Sequence, residues 1–111
     1  MNVAFENVNK NLVIKIKCDI DHHTCEEIRQ RIDNEIMSRN PKNIIFDMEN
    51  VGFMDSSGIG VIIGRYKLVA GNGGKAAMIN VKPQVKRVYD ICGLHKIISI
   101  YPDKKQALQN I

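Results

Sequence analysis

Apolar positions near the start of the chain recur at every second residue. Each alternate position from Leu12 to Cys18 is apolar, a spacing that is typical of a β-strand. Residues 3–8 are predicted to form another strand, and Asn9-Lys10-Asn11 between the two segments predicts a tight connection. The chain therefore begins with two predicted strands joined as a hairpin.

A helical period follows from about residue 22 to residue 39. The apolar positions of this segment lie three or four residues apart and form one stripe: Cys25, Ile28, Ile32 and Ile36. Two helix starts compete, namely Asp21 as N-cap, or Thr24 as N-cap with Glu27 completing a capping box. The pattern leaves both open, whereas Asn40-Pro41 ends the helix.

Short apolar runs and helical segments alternate through the rest of the chain. Strands are predicted at residues 43–48, 75–81 and 97–100, and helices at residues 55–70, 83–92 and 103–110. Pro83 suits the first position of a helix, and Gly93 ends that helix. The predicted order is β-β-α-β-α-β-α-β-α, which favours an α/β fold with a mixed, largely parallel sheet and helices packed on it. We expect residues 1–111 to form a single domain.

Composition indicates an ordinary globular chain. Hydrophobic residues make up 44% of the 111 residues, and no apolar stretch approaches the roughly 18–20 residues needed to span a bilayer. The first ten residues are polar and mixed, so we expect no signal peptide. Three cysteines at unrelated spacings argue against a disulfide framework. The expected location is therefore the cytoplasm, with no membrane partner.

Charge is unevenly distributed along the chain. Residues 1–18 contain three basic residues and one acidic residue, residues 19–55 contain four and nine, and residues 56–111 contain nine and two. The net charge of +4 raises the question of nucleic-acid binding. The chain has no Trp and only six Phe and Tyr residues, and none of them interrupts a basic stripe as a single-strand binder requires. We therefore expect no nucleic-acid partner.

Asp55-Ser56-Ser57-Gly58 at the start of the second predicted helix is the most informative segment. Asp55 is predicted to cap the helix by accepting from the amide of Ser57 or Gly58. Ser56 and Ser57 then lie in the first turn, where unpaired N–H groups and the helix dipole favour an anion. Ser56 is thus placed to carry a phosphate of about −1.5 to −2 charges. The plain alternative is a capped helix start with no further role.

Three glycines lie within this same helix. Gly58, Gly60 and Gly64 each cost up to ~1 kcal/mol relative to alanine. Gly60 and Gly64 share one face, so we expect them to let the helix lie close to the sheet or a neighbouring element. Gly58 is expected to keep the turn around the serine open to a kinase.

The sequence does not match the motifs of two enzyme classes. The three glycines do not directly follow a strand as a dinucleotide-binding fingerprint requires, because residues 49–54 intervene. A serine hydrolase motif is also missing, since Met54 and Asp55 occupy the places of its first glycine.

Metal binding is likewise not indicated. His22, His23 and Cys25 lack a recognised ligand spacing, and both histidines are expected to be exposed. We expect no catalytic residue, no cofactor and no metal.

Three segments together resemble a known family. FMDSSGIGVIIGRYK at residues 53–67, DIDHHT at 19–24 and VKRVYDICGLHKII at 85–98 resemble the STAS domains of anti-sigma factor antagonists, and within them the sporulation branch that acts on the anti-sigma-F factor. The likeness covers essentially the whole chain, and a STAS regulator of a general-stress sigma pathway is the alternative.

The resemblance implies a switchable binding protein and no enzyme. In this family the first serine of the pair accepts the phosphate, which corresponds to Ser56. The implied partners are an anti-sigma factor that is also a serine kinase, and a PP2C-type phosphatase that restores the unmodified form. The implied partner-binding residues are Asp21, Thr24, Asp55, Ser57, Gly58, Ile59 and Gly60. Arg65 and Lys67 also match, with either a surface role or a contact role.

One position departs from the family pattern. The family usually has glycine where this chain has Cys18, just before Asp19-Ile20-Asp21. Glycine would allow a special backbone angle or a close approach. The shape of the loop around Asp21 is therefore left open.

Overall fold

Within residues 2–111, five strands and four α-helices follow one another in the predicted order. The structure is a computed structural model that describes residues 2–111. The strands are β1 Val3–Val8, β2 Asn11–Ile16, β3 Asn43–Asp47, β4 Ala76–Ile79 and β5 Ser99–Tyr101. The helices are α1 Cys25–Arg39, α2 Ser56–Ala70, α3 Pro83–Ile91 and α4 Lys104–Asn110.

The strands form one mixed sheet in the order β1-β2-β3-β4-β5. β1 and β2 pair antiparallel around a two-residue turn, and every other neighbouring pair is parallel. The sheet is therefore largely parallel, as predicted. Because helices connect the parallel strands, α1, α2 and α3 begin at the edge where the strands end and run back toward the opposite edge.

Alternation along the strands divides the core into two layers. Leu12, Ile14, Phe46 and Met78 lie on the face that packs against α1, α2 and α3. The opposite face is smaller and packs against α4 through Ala107. No helix within residues 2–111 is both long enough and apolar enough to cross a bilayer.

Several predicted boundaries differ from the structure at their ends. The second strand stops at Ile16, two residues early, because the chain turns away toward α1. The last strand is Ser99–Tyr101 and not residues 97–100, since a 3₁₀ turn at Leu94–Lys96 occupies the approach to it. After α2, Gly71 keeps a helical backbone, and Gly73 adopts a left-handed one at φ 79°.

A partly buried ion pair joins α1 to α2. Arg65 Nε lies 2.8 Å from Asp33 Oδ1, and Arg29 Nη1 donates to Asp33 Oδ2 at 3.0 Å. Arg65 is only 9% exposed. Burial lowers the pKa of its guanidinium, and the Asp33 carboxylate counteracts this effect. The role of Arg65, left open by the sequence, includes holding these two helices together.

We expect Asp33→Asn to lower the free energy of unfolding by about 1–3 kcal/mol, because two arginines lose a charged acceptor. Urea unfolding monitored by circular dichroism measures the change. Asp90→Asn is the matched control, since Asp90 pairs with Lys86 on an exposed helix face and should change stability by no more than about 0.5 kcal/mol. Equal effects of the two variants would contradict the role assigned to Asp33.

Candidate functional site

The start of α2 is capped by its own carboxylate. Asp55 Oδ1 accepts from the amides of Ser57 and Gly58 at 2.9 and 3.2 Å, as predicted. The amide of Ile59 donates to the Asp55 carbonyl. Ser56, the first residue of the helix, is exposed. Because Asp55 already occupies two of the first-turn amides, the helix start is a less open anion site than the sequence predicts.

A second carboxylate fixes the loop that leads into α2. Asp19 Oδ1 accepts from the amides of Gly52 and Phe53 at 2.9 and 3.1 Å. These bonds join the segment after β2 to the segment after β3. Sequence reasoning missed this role of Asp19, because its partners are more than 30 residues away and are backbone groups.

The same two segments are also paired through their backbones. Ile20 and Met54 form an isolated parallel bridge, with the Ile20 amide donating to the Phe53 carbonyl and the Asp55 amide donating to the Ile20 carbonyl. Both Ile20 and Met54 are buried. The start of α2 is thus attached to the loop containing Asp21.

Asp21 and Thr24 form a closed turn ahead of α1. Asp21 Oδ1 accepts from the amides of His23 and Thr24, while the Thr24 hydroxyl donates to the carbonyl of Asp19. The Thr24 amide is the main cause that lowers the pKa of the Asp21 carboxyl. Asp21 is therefore ionised at neutral pH within a fixed turn.

This turn decides between the two helix starts that the sequence left open. Thr24 is the N-cap residue of α1, but its side chain makes no capping bond. Glu27 accepts from Asn2 and does not complete a capping box. Asp21 Oδ1 accepts from the amides of His23 and Thr24, and the Asp21 carbonyl accepts from the Cys25 amide. This bonding matches the predicted Asp21 N-cap, although the regular α-helix begins only at Cys25.

Gly58 has a different role from the predicted one. A Cβ atom at this position would lie 2.7 Å from the Ile20 carbonyl oxygen and would also overlap Met54. Gly58 therefore does not keep the turn open, because it is buried where α2 meets the backbone of the loop before α1. A larger residue would push the helix start away from that loop.

Gly60 and Gly64 also differ from the prediction. A Cβ atom added at either position has nothing within 4 Å. These glycines face away from the sheet, so they do not allow a close approach to it. The prediction failed because α2 is apolar almost all round and its pattern does not reveal which face is buried.

The remaining predicted site residues divide into exposed and buried groups. Ser57 is half-buried, and Gly60 is exposed. Ile59 is 7% exposed and lies in the main core. Ile59 and Gly58 therefore hold the helix start in place, while Ser56 and Gly60 present it to solvent.

At position 18, where this chain has cysteine in place of the family's glycine, the backbone does not require a glycine. The residues other than glycine with positive φ among residues 2–111 are Asn9, Asn40 and Asn80. Cys18 is half-buried against the core, and burial raises the pKa of its thiol. The cysteine is accommodated as a small apolar side chain with a protonated thiol at neutral pH.

His22 and His23 are exposed in the turn before α1. Their rings meet edge to face at 5.7 Å. Across residues 2–111, no group of three histidine, cysteine or acidic side chains is arranged to hold a metal ion.

Comparisons with known proteins agree on one family. A family model described as STAS domain matches residues 2–107. The anti-sigma F factor antagonist of Paenibacillus polymyxa is 38% identical over 111 residues, covering 100% of this chain and 95% of that protein.

Solved structures agree with the sequence comparisons. The unphosphorylated form of the anti-sigma factor antagonist SpoIIAA has a TM-score of 0.81 at 30% identity, covering 96% of this chain and 92% of that one. The phosphorylated form of the Bacillus cell fate determinant SpoIIAA has a TM-score of 0.73 at 29% identity, covering 96% of both chains. The fold is thus that of the matched family.

Opposite effects on stability are expected for alanine at two neighbouring glycines. Gly58→Ala should lower the free energy of unfolding by about 1–3 kcal/mol, because the added methyl overlaps Ile20 and Met54. Gly60→Ala is the matched control and should raise it by up to about 1 kcal/mol, since alanine favours the helix and meets open space. Urea unfolding of both variants measures the difference. The same sign for both would contradict the assignment of Gly58 to the contact.

Proposed function

This chain belongs to the STAS domain family, and we propose that it is an anti-sigma factor antagonist switched off by phosphorylation of Ser56. The unmodified protein binds an anti-sigma factor that is also a serine kinase, and this binding releases the sigma factor. Transfer of phosphate to Ser56 ends the binding. The observation that carries the proposal is an exposed serine at the first position of a helix whose start is held rigidly from both sides.

The charge around Ser56 explains how a phosphate would act as a switch. Asp55 is the preceding residue, and Asp19 and Asp21 belong to the adjoining loop. None of the ion pairs found within residues 2–111 involves these three carboxylates. A phosphate adds about −1.5 to −2 charges to a region that is already acidic. A partner surface matched to the unmodified charge is then repelled or left poorly paired.

The rigidity of the helix start supports a local mechanism. Asp55 caps α2 with its side chain, and the bridge between Ile20 and Met54 holds the loop beneath it. These contacts involve no atom of the Ser56 side chain. A phosphate on that side chain can therefore change the surface without a change of fold.

The similarity to anti-sigma F factor antagonists supports the sporulation pathway as the proposed setting. The partners are then the anti-sigma F factor acting as kinase, and a PP2C-type phosphatase that removes the phosphate. The proposed site comprises Ser56 with Asp21, Thr24, Asp55, Ser57 and Gly60 on its surface, and Gly58 and Ile59 beneath it. In this scheme the protein itself catalyses no reaction. The proposed location of the protein and its partners is the cytoplasm.

Ser56→Ala should bind the anti-sigma kinase with the affinity of the wild type and take up no phosphate. The fold should not change, because Ser56 is exposed and its amide remains. Incubation with the kinase and ATP followed by mass spectrometry measures the uptake, with Ser57→Ala as the matched control that still gains one phosphate. A phosphate located on Ser57 in the wild type would move the site by one residue.

Ser56→Asp should bind the kinase more weakly than the wild type by about 1–3 kcal/mol, the usual size of a coupling between a modification and binding. The cause is one added negative charge beside Asp55. Isothermal titration calorimetry measures the affinity, with Ser56→Asn as a control of similar size and no charge. Equal affinities for all three proteins would refute the electrostatic switch.

A further inference from the structure

Phe53 is an exposed aromatic residue beside the proposed switch. The residue is 53% exposed in the loop that leads into α2. Within residues 2–111, the other large apolar side chains with high exposure are Met37, Leu68 and Ile91. Those three lie on helices, so Phe53 is the aromatic member of the set and the one in a loop.

The backbone of Phe53 is held in place on both sides. Its amide donates to the Asp19 carboxylate at 3.1 Å, and its carbonyl accepts from the Ile20 amide at 3.1 Å. The next residue, Met54, is buried at 1% exposure. The exposed ring is therefore attached to a rigid backbone, which lowers the conformational entropy lost when a partner covers it.

Two acidic residues adjoin Phe53 along the chain and in the fold. Asp19 bonds directly to the Phe53 amide, and Asp55 follows two residues later. Within residues 2–111 these two carboxylates accept from backbone amides and form no ion pair. An exposed aromatic residue on a fixed backbone beside such carboxylates has the composition of an interface anchor, with an apolar centre and a charged edge. The complementary surface is an apolar pocket bordered by lysine or arginine.

We propose that Phe53 is the apolar anchor that inserts into a basic-rimmed pocket of the anti-sigma factor. This proposal rests on the proposed function and adds Phe53 to the partner-binding residues that the family resemblance implies. It also explains how one phosphate affects an apolar contact. Ser56 lies three residues from Phe53, so a hydrated dianion there opposes the desolvation that insertion of the ring requires.

Calorimetric titration of the purified anti-sigma F factor from the same organism tests the proposal. Phe53→Ala should weaken binding by at least about tenfold, as expected for truncation of an interface anchor. The heat-capacity change of binding should also become less negative, because less apolar surface is buried. Loss of an ionic or backbone contact would not produce that second change.

Met37→Ala is the matched control. Met37 is 82% exposed and lies in the second half of α1, toward the sheet edge opposite the start of α2. The Met37→Ala substitution should leave both the affinity and the heat-capacity change of binding unchanged. Thermal unfolding of each variant checks the fold, and Phe53→Gln replaces Phe53→Ala if the alanine variant does not unfold cooperatively.

The outcomes separate this inference from the proposed function. If the wild type does not bind the anti-sigma factor, the proposed function fails. If the wild type binds and Phe53→Ala or Phe53→Gln binds equally well, the inference alone is overturned. A weaker affinity with an unchanged heat-capacity change would also overturn it, because the ring would then not be buried in the complex.

Discussion

The close contact between Gly58 and the backbone of Ile20 sets the position of everything around Ser56. At this contact α2 meets the loop between β2 and α1 with no space for a side chain. The parallel bridge between Ile20 and Met54 and the Asp19 carboxylate hold the same two segments together. Segments that are more than 30 residues apart in sequence thus form one surface at the carboxyl edge of the sheet.

The distribution of charge follows from the same arrangement. Asp19, Asp21 and Asp55 lie where the parallel strands end and the helices begin, a position where negative charge is favoured by the helix dipoles. At the opposite edge, Lys10, Arg39 and Lys42 line a cleft of about 540 Å³, where the helices end and positive charge is favoured. The acidic residues around Ser56 and the basic residues of this cleft thus lie at opposite edges of the sheet.

Local signals were sufficient to predict most of the fold. The change from a two-residue to a helical period, the cap Asp55, and Pro83 at the start of α3 each act within a few residues. The elements and their order followed from these signals. Their exact ends were less predictable, because the 3₁₀ turn before β5 depends on packing as well as on propensity.

Features that depend on contacts between distant segments could not be predicted. The buried face of α2 was not evident, since Ile59, Val61, Ile62 and Ile63 make the helix apolar almost all round. The close approach was consequently predicted for Gly60 and Gly64, whereas the structure shows it at Gly58. Arg65 and Asp19 were missed as structural residues for the same reason, because their partners, Asp33 and the Gly52 and Phe53 amides, come from other parts of the chain.

The cap that Asp55 forms has a consequence for how long a modification lasts. Since its carboxylate already bonds to the amides of Ser57 and Gly58, a phosphoryl group on the exposed Ser56 would find two of the nearby backbone donors taken. Those two amides would then not be free to shelter the phosphoester. Under the proposed switch, the lifetime of the phosphate would be set by the kinase and the phosphatase, so the fraction of modified molecules would follow the ratio of those two activities.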